Sequence, residues 1–325
     1  MNDLEKISLS SPIHFISAGV CCHAIALLDR LGIIDKILAK EFSLQSIKSL
    51  YNPVVIQSAI STLEVNNIIK IQDEKICFTD FGLEIISHRG SIGLIYDGYR
   101  HILSNQLQIY TDQINNKNNL IDSEAIVTAS VSFGKSHIDH LIQELVNDLP
   151  IEGTICDFGC GDGSRLAAIC ELKKCKGLGL EISKEAYEIA CDKNDPAQLS
   201  FILGNTAEIS FVRNDVSLLM QYFCMHDIVP TSKCIEVIRS FYKCFPKFNH
   251  FIFVDVVAPS QTIPSQLPGF DYVHSLLDIS ARNYEETIAM FQECDLQITK
   301  EIAVPGLPNT FIWLLTPSRD DRTPL

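Results

Sequence analysis

The chain has 325 residues, 46% of them hydrophobic and 20% charged, a balance that packs a core instead of leaving a disordered segment and that fills one large or two ordinary domains. Its formal net charge of −14 speaks against nucleic acid as a partner, because phosphate backbones are held by clustered Lys and Arg. No uninterrupted apolar run reaches the roughly 20 residues that cross a bilayer, and the first ten residues, with Asp3, Glu5 and Lys6, do not resemble a secretory signal.

In chain order, residues 12–40 read as helix. Ile13, Ile16, Val20, Ala24, Leu27 and Leu31 recur at three- and four-residue steps, one apolar stripe for a core or a second subunit. Gly32 and Asp35 punctuate it. Ser43 caps a short helix, Pro53 opens a second, and two strands, 68–71 and 75–78, flank the turn at 72–74. This helix-helix-hairpin order is that of a winged helix-turn-helix, whose usual meaning is DNA binding. The second helix, Asn52 to Asn67, carries no Lys or Arg, so we expect a structural or dimerisation module instead. An Asn-rich loop follows near 115–119, and Phe133 through Leu145 marks an amphipathic helix ending before Pro150.

From Ile151 the pattern alternates strand and helix, which predicts a doubly wound parallel sheet. The segment from Thr154 to Leu166 reads as a buried strand ending at Asp157, a turn with Gly159, Gly161 and Gly163, and a helix start. Glycines let the backbone turn sharply and approach a ligand closely, and the first helical turn offers unpaired N–H groups. A mononucleotide-type site is expected at this crevice; a purely structural glycine turn is the alternative. The dinucleotide fingerprint fails, because Ser164 stands where its third glycine belongs. Glu181, at the end of the second strand, suits ribose hydroxyls. Further strands are expected at 199–203, 216–223 and 250–257, a helix at 283–294, and a closing strand pair at 296–302 and 310–315. Asp255 ends the fifth strand, facing the pocket or capping the turn before Pro259. The twelve cysteines are scattered with no C-x-x-C pair and read as reduced thiols of a cytoplasmic protein.

The order acid, x, Gly, x, Gly, x, Gly from Asp157 resembles motif I of the class I S-adenosylmethionine (SAM)-dependent methyltransferases. With the winged-helix front and Cys224-Met-His-Asp-Ile228 after the fourth strand, nearly the whole chain looks like the small-molecule O-methyltransferase superfamily. The resemblance implies a Rossmann-like α/β catalytic domain at 126–325 behind an N-terminal helical, winged-helix dimerisation domain at 1–125. It implies SAM held by Asp157, Gly159, Gly161, Gly163, Glu181, Asn205 and Phe223, and His226 as the general base toward a substrate hydroxyl.

Two features depart from that pattern. Arg282 stands near the place where those enzymes carry an acid oriented toward the histidine, and 268–275 brings in a second histidine, His274, 48 positions after His226. A His-Asp pair with a later His is similar to the metal-dependent α-keto acid C-methyltransferases. That likeness implies a divalent metal, Fe or Zn, on His226 and His274, with Asp227 as third ligand or orienter and a substrate enolate stabilised by the metal. Arg282 or Arg100 would pair with the substrate carboxylate. The expectation is a cytoplasmic homodimer that C-methylates a small α-keto acid, with no nucleic-acid or membrane partner. O-methylation is the alternative, and a non-catalytic SAM- or DNA-binding regulator is the third reading.

Overall fold

A computed structural model describes residues 12–265 and 269–318; Pro268 and the side chains of Ile13 and Phe270 lie outside what is described. The chain divides into two units, one up to Arg100 together with Thr128–Ser136, the other His101–Val127 together with His137 onward.

In the first unit, α1 (Pro12–Arg30) ends before Gly32, whose φ of 64° turns the chain into α2 (Ile33–Leu38). The buried positions of α1 are Cys21, Ile25, Ala26 and Leu28, whereas Ile16, Val20, Leu27 and Leu31 stay exposed. The expected stripe therefore points away from this unit's core. Ser43 caps α3 (Leu44–Ile47), and Asn52 caps α4 (Pro53–Val65), which buries Ile56, Ala59, Ile60 and Leu63. The strands β1 (Ile69–Gln72) and β2 (Lys75–Phe78) pair antiparallel, Ile69 opposite Phe78. Asp73 and Glu74 both take positive φ between them, the geometry that matches a two-residue turn to strand twist. Thr79 then caps α5 (Asp80–Ser87), followed by α6 (Arg89–Gly93).

Beyond Arg100 come α7 (Arg100–Ser104), α8 (Gln106–Tyr110), α9 (Ser123–His137) and α10 (Asp139–Asn147). The helix expected from Phe133 to Leu145 is thus two, broken at Ile138, which is fully buried. The second unit is built on β3 (Thr154–Phe158), α11 (Ser164–Lys173), β4 (Lys176–Glu181), α12 (Lys184–Lys193), β5 (Leu199–Leu203), β6 (Val216–Tyr222), α13 (Thr231–Cys244) and β7 (His250–Val256). After these come α14 (Phe270–Leu276), α15 (Tyr284–Glu293), β8 (Leu296–Ala303) and β9 (Thr310–Pro317).

The seven strands lie in the order β5-β4-β3-β6-β7-β9-β8, parallel except for β9, which runs antiparallel to both neighbours. Every residue of β3 and β6 is buried, as central strands covered on both faces must be. Helix α13 turns Cys234, Ile235, Val237, Ile238 and Phe241 inward, and Phe241 stacks on Phe158 at 4.3 Å between centroids. The chain leaves β3 toward β4 on one side and returns to β6 on the other. That reversal opens a crevice at the carboxyl ends of β3 and β6, where open α/β sheets bind ligands.

Candidate active site

The glycine turn closes the β3 end of this crevice. Gly159, Gly161 and Gly163 all adopt left-handed φ, 68°, 57° and 72°. At Gly163 the restriction is also steric, since a Cβ there would lie 2.7 Å from the ring of Phe201. The turn is braced from its neighbours. Asp162 accepts hydrogen bonds from the Ser164 backbone and hydroxyl and pairs with Lys193 at 2.5 Å. Glu181 is buried, its Oε2 accepting the Gly161 N–H and its Oε1 the Ser183 N–H, both at 2.9 Å. Its carboxylate therefore ties the glycine turn to the start of α12, one backbone N–H on each oxygen. Asn205 spends its Oδ1 on the Ala207 N–H at 2.9 Å. Phe223 leaves β6 with φ 55°, an uncommon conformation for a bulky residue that swings the chain into the next loop.

Asp157 lies at the floor of the crevice. Its carboxylate is buried and its Oδ1 has no hydrogen-bond partner among the described residues. Burial, only partly offset by the Arg165 guanidinium, raises its pKa to about 7. Arg165, in the first turn of α11, stacks its guanidinium 4.1 Å over Tyr222 and donates Nε to Asp139 at 2.7 Å. Sequence reading passed over Arg165 and Tyr222. The available signal was a single cation two residues after the third glycine.

At the β6 end, the loop after Tyr222 carries His226 and Asp227. His226 is 6% exposed, and its Nδ1 lies 2.5 Å from Oδ1 of Asp255. Asp255 is itself buried at the end of β7; its Oδ1 also accepts the Val256 N–H, while its Oδ2 has no partner among the described residues. Nδ1 is thereby committed to the carboxylate, and Nε2, 3.3 Å from Asp227 Oδ1, faces the crevice. The acid that addresses His226 thus comes from β7, not from the segment before α15 where the likeness to O-methyltransferases had placed it.

Helix α14 brings His274 to the same point, its ring 5.2 Å from that of His226 and nearly perpendicular to it. One ligand atom each from His226, Asp227 and His274 lies within 4.8 Å of the others. Burial alone would drive His226 toward neutrality, but Asp255 and Asp227 outweigh it and raise its pKa to about 9. Burial, with the charge of His226 beside it, lowers His274 to about 4. Two imidazoles and a carboxylate with open positions fit a facial divalent-metal centre, and a carboxylate behind the ligating histidine is its usual support. A metal taking the place of the His226 proton would balance the same two carboxylates.

Arg282 does not reach out to a substrate. It is 5% exposed, its Nη1 donating to the Ile228 carbonyl at 3.1 Å and its Nη2 to the Met225 carbonyl and to the Cys234 thiol. Two of its N–H groups go to main-chain carbonyls on either side of His226 and Asp227. Arg100 donates to the Asp97 carbonyl at 3.0 Å.

Comparisons with known proteins bear on the fold and the class of chemistry. A family profile described as "Methyltransferase domain" matches residues 155–246. An indolepyruvate C-methyltransferase of Streptomyces griseus is 27% identical over 316 residues, 94% of this chain and 94% of that protein. Among solved structures, mitomycin 7-O-methyltransferase MmcR shares the fold with a TM-score of 0.63 at 12% identity, covering 94% of this chain and 96% of its own. CalO1, a methyltransferase of calicheamicin biosynthesis in its SAH-bound form, does so at 0.62 and 14%, covering 98% and 99%.

Proposed function

We propose, for a chain that is a SAM-dependent methyltransferase of the class I fold, that it methylates the β-carbon of a small 2-keto acid at a divalent-metal site of His226, Asp227 and His274. The observation that carries this reading is the second histidine. An enzyme that only deprotonates a hydroxyl has no use for a buried, neutral imidazole packed against its base. A relative named for C-methylation of indolepyruvate supports the same substrate class.

When bound, a cation such as Fe or Zn supplies Lewis acidity toward the keto oxygen and carboxylate of the substrate, which acidifies the neighbouring C–H. The protein's own groups set this up. Asp255 holds a His226 proton on Nδ1, so Nε2 is the nitrogen whose proton a bound metal would displace. His274 stays neutral through burial, and Asp227, with half of its side chain exposed, adds the charge. Across the crevice, Glu181 would take the ribose hydroxyls of SAM, Asp157 would offer its carboxylate to the cofactor's positive charge, and Gly159 to Gly163 would let the backbone approach it. Exhaustive chelation should abolish turnover, and His274→Ala should do the same while SAM binding persists. Full activity in both cases would leave O-methylation as the reading, with the His226–Asp255 pair as the general base that this close contact also favours.

A homodimer belongs to the same proposal. The face of α1 with Phe15, Ile16 and Val20 is exposed and carries no charge, and a second copy would cover it through a winged-helix module at 1–125, ahead of a catalytic domain at 126–325. Light scattering should read two chains per particle, and a Val20→Lys variant one; a monomeric wild type would sink this part. No described helix is long and apolar enough to cross a membrane, and the twelve free cysteines favour a cytoplasmic setting.

A further inference from the structure

We infer that Arg282 is a positioning residue that holds the His226–Asp227 loop in register with Asp255, so that the metal ligands are assembled before the metal arrives. The inference rests on the metal reading of the site and adds the residue that prepares it.

The loop is held at its start by the Phe223 N–H on the Val254 carbonyl at 2.9 Å and the Cys224 N–H on Gln221 Oε1 at 3.2 Å, and within itself by the Ile228 N–H on the Met225 carbonyl at 3.2 Å. It leaves β6 through the left-handed Phe223 and reaches α13 at Thr231, and the residues between form neither helix nor strand. Its carbonyls at Met225 and Ile228 bracket the two ligands, and both are taken by the guanidinium of Arg282. One planar fork thus spans the His-Asp pair and fixes two backbone points at once. Lysine, a single point donor, cannot do this. The Met225 carbonyl also accepts the Ile228 N–H at 3.2 Å, so the guanidinium is a further donor there and the link from this turn to the start of α15.

The other end of Arg282 is anchored as firmly. Its carbonyl accepts the Ala258 N–H at 2.8 Å, three residues beyond Asp255. Asn283, next in the chain, forms a reciprocal capping box with Glu286, each side chain accepting the other's backbone N–H at 2.7 and 2.9 Å. That box fixes where the chain enters α15, and with it the direction from which the guanidinium returns. Arg282 therefore joins three separate pieces: the β6 loop with His226 and Asp227, the β7 end with Asp255, and the start of α15.

Hydrogen exchange and metal affinity together test this. Arg282→Met removes the fork, and Phe291→Leu, deep in the sheet core, serves as a control for general destabilisation. In Arg282→Met we expect amide exchange in the 224–230 peptide to rise at least tenfold and Zn or Co binding to weaken at least tenfold, with SAM affinity within about threefold of wild type. Arg282→Lys should recover only part of both losses, and added guanidinium should partly restore an Arg282→Gly variant. Phe291→Leu should lower the melting temperature without selective exchange at 224–230. Equal exchange there in Arg282→Met and Phe291→Leu overturns the inference, as does wild-type metal affinity in Arg282→Met. Should wild type bind no metal, the metal reading fails, and exchange alone decides whether Arg282 positions the loop.

Discussion

Asp255 Oδ1 lies 2.5 Å from Nδ1 of His226, both side chains buried. The contact joins the loop after β6 to the end of β7, between residues 29 positions apart in the chain. It fixes which imidazole nitrogen is available, and so decides what His226 offers to anything in the crevice.

Removing that carboxylate should therefore act through the histidine. Asp255→Asn keeps the volume and loses the charge, and we expect metal affinity and kcat each to fall by roughly 10- to 100-fold, the usual effect of losing a carboxylate behind a metal-ligating histidine. Circular dichroism and SAM binding should stay near wild type. Unchanged kcat in Asp255→Asn would mean that the contact has no part in catalysis.

Asp157 gives the cofactor site a pH dependence with a definite sign. Its folded-state pKa of about 7 stands above the ordinary carboxylate range, so between about pH 4 and pH 7 the native state binds more protons than the unfolded chain. Stability without SAM should then fall as pH rises through that window, by at most about 4 kcal/mol. SAM brings positive charge to the ionised form, so its binding should release up to one proton below pH 7 and tighten with rising pH. Calorimetry at pH 6 in two buffers of different ionisation enthalpy reads the proton directly. An affinity that is flat from pH 5.5 to 7.5, or the same pH dependence in Asp157→Asn, would contradict the assignment.

The glycine turn and the acids around it were legible in the sequence because they are local. Asp157, the three glycines and Glu181 lie on one strand-turn-helix-strand unit, where backbone geometry and residue type constrain each other over short distances. The acceptor half was legible only in parts. His226 and His274 could be named, but a spacing of 48 residues says nothing about distance in space, and only the return of α14 places their rings together. Asp255 was seen as a strand end with two open roles, and β7 lying beside β6 settles which way it faces. Arg282 was read as a substrate ligand because an exposed cation and a buried one look alike in sequence; the two carbonyls that occupy it are backbone groups of a distant loop. The stripe on α1 was correctly spaced for a helix, yet periodicity alone does not say which neighbour covers an apolar face, and within its own unit this one is left open.

The most direct test of the central claim is where the methyl group goes. Incubation with methyl-labelled SAM and a panel of 2-keto acids and phenols, with and without chelator, followed by NMR of the product, locates it. We expect the label on the β-carbon of a 2-keto acid, lost on chelation and restored by a divalent metal. Label on oxygen, formed equally well in the presence of chelator, would contradict it.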